Sequence, residues 1–228
     1  MGGEKDQRDY GKGESKELMT VKIPLREIKK AKSKISIYKA SLELIEKNTF
    51  KEVRLEEICE KAEVSKVTFF KFFSRKEEVL VYFMRVWLDE RIIELKRNPK
   101  RGLAAIRLFL QSVANGAKRK PGLMLSLISF LSEEKMHPNM PLLSDAEIHI
   151  LYPGSEDLIN REAPNLGVLF HQFITEAKED GEITVDLPAE ELVKIMFGIF
   201  YGAFLTAHIY RSEDIMDFYE LHLKALTR

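Results

Sequence analysis

The stretch that decides the fold is LEEICEKAEVSKVTFFKFFSRK, residues 55–76. It opens with a short amphipathic segment, Leu55 to Ala62, that places Leu55, Ile58, Cys59 and Ala62 on one side. Glu63-Val64-Ser65 interrupts it, and a second short segment follows from Lys66 to Phe73. Ser65 suits the N-cap of that segment, because its hydroxyl can accept an orphan backbone N–H. Two short helices joined by a three-residue break are a helix-turn-helix, with Val64 in the turn plugging the angle between them. Residues 64–76 hold four basic side chains and no acid. A short basic helix with Ser, Thr and aromatic residues interleaved suits a DNA major groove.

Working outward, the pattern stays helical. Ile28, Ile35, Tyr38, Leu42 and Ile45 build one apolar stripe over Leu25 to Lys47, behind a lysine-rich start. Ser74 reads as the cap of a long helix over 75–97 that ends at Asn98-Pro99. Further helices are expected at about 102–118, 121–135, 143–151, 164–180, 188–210 and 213–227. Pro121 and Pro188 suit first-turn positions, and Gly181 suits a C-terminal stop. Residues 136–141 read as a loop. Only 182–187 is strand-like, and it is short and isolated. The expected fold is all-α: a three-helix helix-turn-helix domain at 25–74, then a helical ligand-binding and dimerisation domain at 75–228. Residues 1–24, glycine-containing and charged, read as a flexible tail.

Composition bounds the function. The 228 residues carry 36 basic and 36 acidic side chains, and 45% are hydrophobic, enough for a substantial core. The neutral sum hides a split. Residues 1–101 hold 25 Lys/Arg against 18 Asp/Glu, a balance of +7, and the remainder balances it at −7. A basic first half points to a polyanionic partner. The single Cys59 excludes an intramolecular disulfide framework, and its place on the inner side of the second helix favours a buried structural thiol. No signal segment opens the chain, so a cytoplasmic location is expected. The sequence has no glycine-rich phosphate loop, no nucleophile elbow and no i,i+4 histidine pair. No catalytic site, cofactor or metal site is therefore expected.

Lys34 to Leu80 resembles the DNA-binding domain of the tetracycline-repressor (TetR) family. The matching stretches are IYKASLELIEKNTF (37–50) and LEEICEKAEVSKVTFFKFFSRKEEVL (55–80). The sequence departs from the family at Thr49, Glu63 and Val67, where glycines are usual, at Arg54 in place of a capping Thr, and at Phe70 and Phe72 in place of tyrosines. Chemistry and resemblance together assign DNA contacts to Lys30, Lys32, Lys34, Arg54, Ser65, Lys66, Thr68, Phe69, Phe70, Lys71 and Lys76. Lysines can reach guanine edges or hold phosphate, Thr68 can bond a base edge, and Phe69 can pack on a sugar or methyl. Lys76 resembles the family's phosphate-clamping lysine. Phe72 and Phe73 are assigned to the core.

In the second half, Ile195–Tyr210 carries no formal charge and is short for a membrane span, so no membrane partner is expected. It reads as a helix buried on nearly all sides. Gly198 and Gly202, four apart, allow close approach of a second copy. The resemblance implies a C-terminal homodimer interface, with Phe170, Phe173, Ile174 and Ala177 on the preceding helix as its partner face. A Leu-, Phe- and Met-rich interior between 102 and 180 implies a pocket for a small hydrophobic or aromatic ligand, with Trp87, Gln111, Asn115, His149, Tyr152 and His171 as polar handles. The expected function is a ligand-responsive regulator, a repressor binding a near-palindromic duplex operator. A DNA-binding architectural or cell-division factor with a protein partner remains open, as does a small-molecule binder or enzyme whose helix-turn-helix is vestigial.

Overall fold

A computed structural model describes residues 23–45, 49–134 and 139–227. The expected tail therefore lies outside the described residues but for 23–24, as do residues 136–138 of the expected loop. Among the described residues there are ten α-helices: α1 (Leu25–Leu44), α2 (Leu55–Lys61), α3 (Lys66–Phe70), α4 (Glu78–Arg97), α5 (Gly102–Arg119), α6 (Pro121–Glu134), α7 (Asp145–Leu151), α8 (Leu166–Glu179), α9 (Ala189–Ile209) and α10 (Ile215–Leu226). A single 3-10 turn, Glu156–Leu158, precedes α8. Residues 182–187 form irregular backbone, with the Thr184 N–H bonded to the Leu226 carbonyl at 3.1 Å.

The helix ends follow local chemistry. At the end of α2, Glu63 takes a left-handed backbone (φ 54°). Its N–H donates to the Glu60 carbonyl (3.1 Å) and that of Val64 to the Cys59 carbonyl (2.9 Å), a glycine-type stop made without glycine. Gly181 closes α8 in the same way at φ 70°. Ser74 departs from its expected role. It accepts nothing from the helix; its N–H and hydroxyl donate to the Glu78 carboxylate at 2.7 and 2.6 Å, and α4 begins only at Glu78.

Helices α1–α3 enclose a small core in which Ile37, Ile45, Ile58 and Phe69 are fully buried and Val64 is half-buried at the turn. Rings of Tyr38, Phe73 and Tyr82 join this core edge-to-face to α4. Beyond it, α5, α8, α9 and α10 pack on one another around Phe109, Phe170, Phe204 and Tyr219. Helix α9 is long and apolar enough to cross a membrane by composition alone. Here one face of it (Leu192, Met196, Ile199, Phe200, Ala203, Phe204 and Ala207) is built into the subunit core.

Candidate functional site

The reading head is α2, the turn and α3. Arg54 precedes α2, and the Glu57 carboxylate accepts from its N–H (2.8 Å) and guanidinium (3.1 Å). Ser65 caps α3: its hydroxyl accepts the Thr68 N–H at 3.1 Å and shares a hydrogen bond with the Thr68 hydroxyl at 3.0 Å. Lys66 pairs with Glu56 of α2. Both side chains of this pair are solvent-exposed, so a phosphate can replace Glu56 at little cost. The bond to Lys66 holds the Glu56 carboxyl below the usual carboxylate range. Lys71, at the end of α3, is exposed, as are Lys30 and Lys32 on α1. Phe70 is 51% exposed, while Phe69 beside it is fully buried.

Three residues assigned to DNA are placed elsewhere. Phe69 is core; it meets Phe73 at a ring separation of 5.6 Å and has no face left for a sugar. Lys34 points inward, its amine 2.7 Å from the Glu147 carboxylate of α7 and 4.5 Å above the Tyr82 ring. Tyr82 also donates to Glu147 at 2.8 Å. Burial opposes ionisation of Glu147, but Lys34 and the Ser144 hydrogen bonds outweigh it and hold the carboxyl below its ordinary value. Lys76 donates to the carbonyls of Phe50 (2.9 Å) and Val53 (2.7 Å), tying down the chain between α1 and α2 instead of reaching outward. The opposite omission is Val67. It stands at a family glycine position, is 68% exposed on the second residue of α3, and was not among the assigned contacts.

A cavity of about 810 Å³ lies between α1, α4, α5, α6, the segment before α8, and α9. Its wall is mostly apolar, with Phe83, Met84, Trp87, Leu127 and Phe200 among the lining side chains; Tyr38 and Leu42 of α1 also line it. Glu90, Arg91, Arg119 and Lys120 add charge to the lining. Burial raises the Glu90 carboxyl above its ordinary value, against the pull of Arg91 and Arg119. The Lys120 amine donates to the Leu42 carbonyl (2.8 Å), and the Ser126 hydroxyl of α6 accepts the Phe50 N–H (2.7 Å). These bonds tie α6 and the residue before it to α1 and to the segment that leads from α1 to α2.

Of the expected polar handles only Trp87 lines the cavity, where its ring nitrogen donates to Ser112 at 3.1 Å. Gln111 and Asn115 are exposed and bond each other (3.0 Å), because they occupy the outer face of α5. Tyr152 is buried elsewhere, 3.3 Å from Asp89, in the cluster built around the fully buried Arg85. His149 and His171 are exposed and face Glu156 and Glu190.

The expected partner face on α8 is also corrected. Phe170, Phe173, Ile174 and Ala177 are all buried within the subunit, facing α5 and α9, so none is available to a second copy. Gly198 and Gly202 do face outward. They continue into Ile195, Leu205 and Ile209, an exposed row spaced alternately by three and four residues. That spacing is one along which two helices can pack. It was present in the sequence but was obscured by a run that is apolar on every side.

Residues 37–83 match the model of the tetR family of bacterial regulatory proteins. No curated protein matches the chain by sequence. Among solved structures, FadR of Thermus thermophilus, a TetR-family transcriptional repressor in complex with lauroyl-CoA, aligns with a TM-score of 0.57 at 21% identity, over 85% of this chain and 92% of that one. FadR of Bacillus subtilis, in complex with stearoyl-CoA, gives 0.56 at 17%, over 85% and 97%. The reduced form of E. coli NemR gives 0.56 at 19%, over 86% and 98%. At these identities the likeness is one of fold, and it spans the reading head and the helical body together. Residues 37–83 thus form a helix-turn-helix domain of the kind found in tetR-family regulatory proteins, set in a chain that shares the fold of these solved structures.

Proposed function

We propose that the protein is a homodimeric repressor that leaves its operator when an amphipathic, largely apolar effector enters the cavity. The observation that carries this reading is the placement of Tyr38 and Leu42 in the cavity wall. Both belong to the first helix of the DNA-binding unit, so an occupant touches that unit directly. A ligand that favours one orientation of the heads by about 1–3 kcal/mol weakens operator binding roughly 5–150-fold. The apolar wall suits a long hydrocarbon body, and Arg91, Arg119 and Lys120 suit an anionic end. Long-chain acyl-CoA thioesters, bound by two of the similar structures, are the first ligands to test.

The dimer is proposed to close along Ile195, Gly198, Gly202, Leu205 and Ile209 of α9, with Val168 on the outer side of α8 beside it. Two heads then read a near-palindrome. The test is selection of duplexes from a random pool, followed by titration of acyl-CoA into the complex. We expect a two-fold symmetric site, affinity that falls steeply with salt, and release by ligand. Lys71→Ala should weaken binding and lower the salt slope by about 1 per head. Failure to retain any duplex at low salt would overturn the reading, and a complex indifferent to every acyl chain length would overturn the effector class.

A further inference from the structure

The front of the reading head is apolar. Its polar groups already have local partners: Ser65 and Thr68 bond each other and the α3 backbone, and Lys66 pairs with Glu56. Val67 is 68% exposed and Phe70, one turn on, is 51% exposed; being three apart they share a face. Lys71 follows immediately, exposed and with its amine available for phosphate. Apolar surface left in water at a binding face is recovered when it is covered. In the major groove the thymine C5-methyl is the one apolar group on a base edge.

We infer that Val67 and Phe70 read thymine methyl groups, so that the operator is specified chiefly by thymines at fixed places in each half-site. Val67 sits at the second position of α3, where a recognition helix meets base edges. Phe70 is braced from behind by the buried Phe69 ring, at a centroid separation of 5.6 Å, so its exposed edge is held in place. This rests on the DNA-binding reading and adds the chemical group that is read.

The experiment uses the full-length protein and the duplex selected from a thymine-containing random pool. Each thymine of one half-site is replaced in turn by uracil, which removes only the C5-methyl and keeps all base-pair hydrogen bonds. At one or two positions binding should weaken about fourfold per methyl removed. At those positions a 5-methylcytosine–guanine pair should bind more tightly than a cytosine–guanine pair by a similar factor. Val67→Ala and Phe70→Ala, both at exposed positions, should each bring the thymine-to-uracil affinity ratio at the position it reads toward one, whatever the change in affinity for the uracil duplex itself. Equal affinity for the thymine and uracil duplexes at every position would overturn the inference and leave DNA binding intact. Retention of no duplex from the pool would instead overturn the DNA-binding reading beneath it.

Discussion

Glu63 holds the tight turn of the reading head in a left-handed conformation that costs a side-chain-bearing residue about 1–2 kcal/mol. In the sequence, Glu63 stands where the resembled family has a glycine. The structure keeps the glycine conformation and accepts the strain, because Val64 must enter the core and its N–H must reach the Cys59 carbonyl. Glu63→Gly should therefore stabilise the protein by about 0.5–1 kcal/mol, the relief of strain less the added flexibility of the unfolded chain. Urea unfolding of the two proteins measures it; an unchanged or lowered midpoint would show that the turn is not strained. Phe69 and Phe70 make the complementary point. They are neighbours in sequence with the same side chain, yet one is sealed and the other faces solvent.

Helix α1 is a single rod that serves two parts of the molecule. Lys34 fastens it to α7 through Glu147, while Tyr38 and Leu42, one and two turns on, line the cavity. The Lys34–Glu147 pair is nearly buried, at 16% and 7% side-chain exposure, so removing one partner strands a charge. Lys34→Ala should cost about 3 kcal/mol near neutral pH. Glu147 has a lowered carboxyl in the folded state. Its contribution is present above the ordinary carboxylate pKa and is lost as pH falls through the lowered value. The gap between wild type and Lys34→Ala should thus shrink once the pH drops below about 4. Unfolding midpoints at pH 7 and pH 3.5 check it, and a gap that ignores pH would count against an ionic clasp.

At the scale of the molecule, the exposed row on α9 is an uncovered apolar feature with a regular repeat. Gly198 and Gly202 have nothing within 4 Å of where a side chain would begin, so larger residues fit within one subunit. The double variant Gly198→Leu and Gly202→Leu should fold normally yet sediment as a monomer. Its affinity for a near-palindrome should drop about 100-fold or more, as the second head loses its tether. A stable dimer in the double variant would place the two-fold axis elsewhere.

Much of this protein was legible in its sequence. The helix-turn-helix rests on local rules: apolar spacing along α2 and α3, Ser65 as a cap, a three-residue break. Gly181 and the apolar stripe of α1 are local in the same sense. Tertiary structure alone decided which apolar face turned inward. Periodicity says that Phe170, Phe173, Ile174 and Ala177 share a side of α8, but not whether their neighbour is the same chain or another. It also decided the fate of long cations and of polar groups near the cavity. Lys34, Lys76 and Lys120 look like surface charges in sequence, yet each finds its acceptors 20 or more residues away, at Glu147, Phe50 and Leu42. Such pairings depend on how helices are brought together in space, which short-range spacing does not encode.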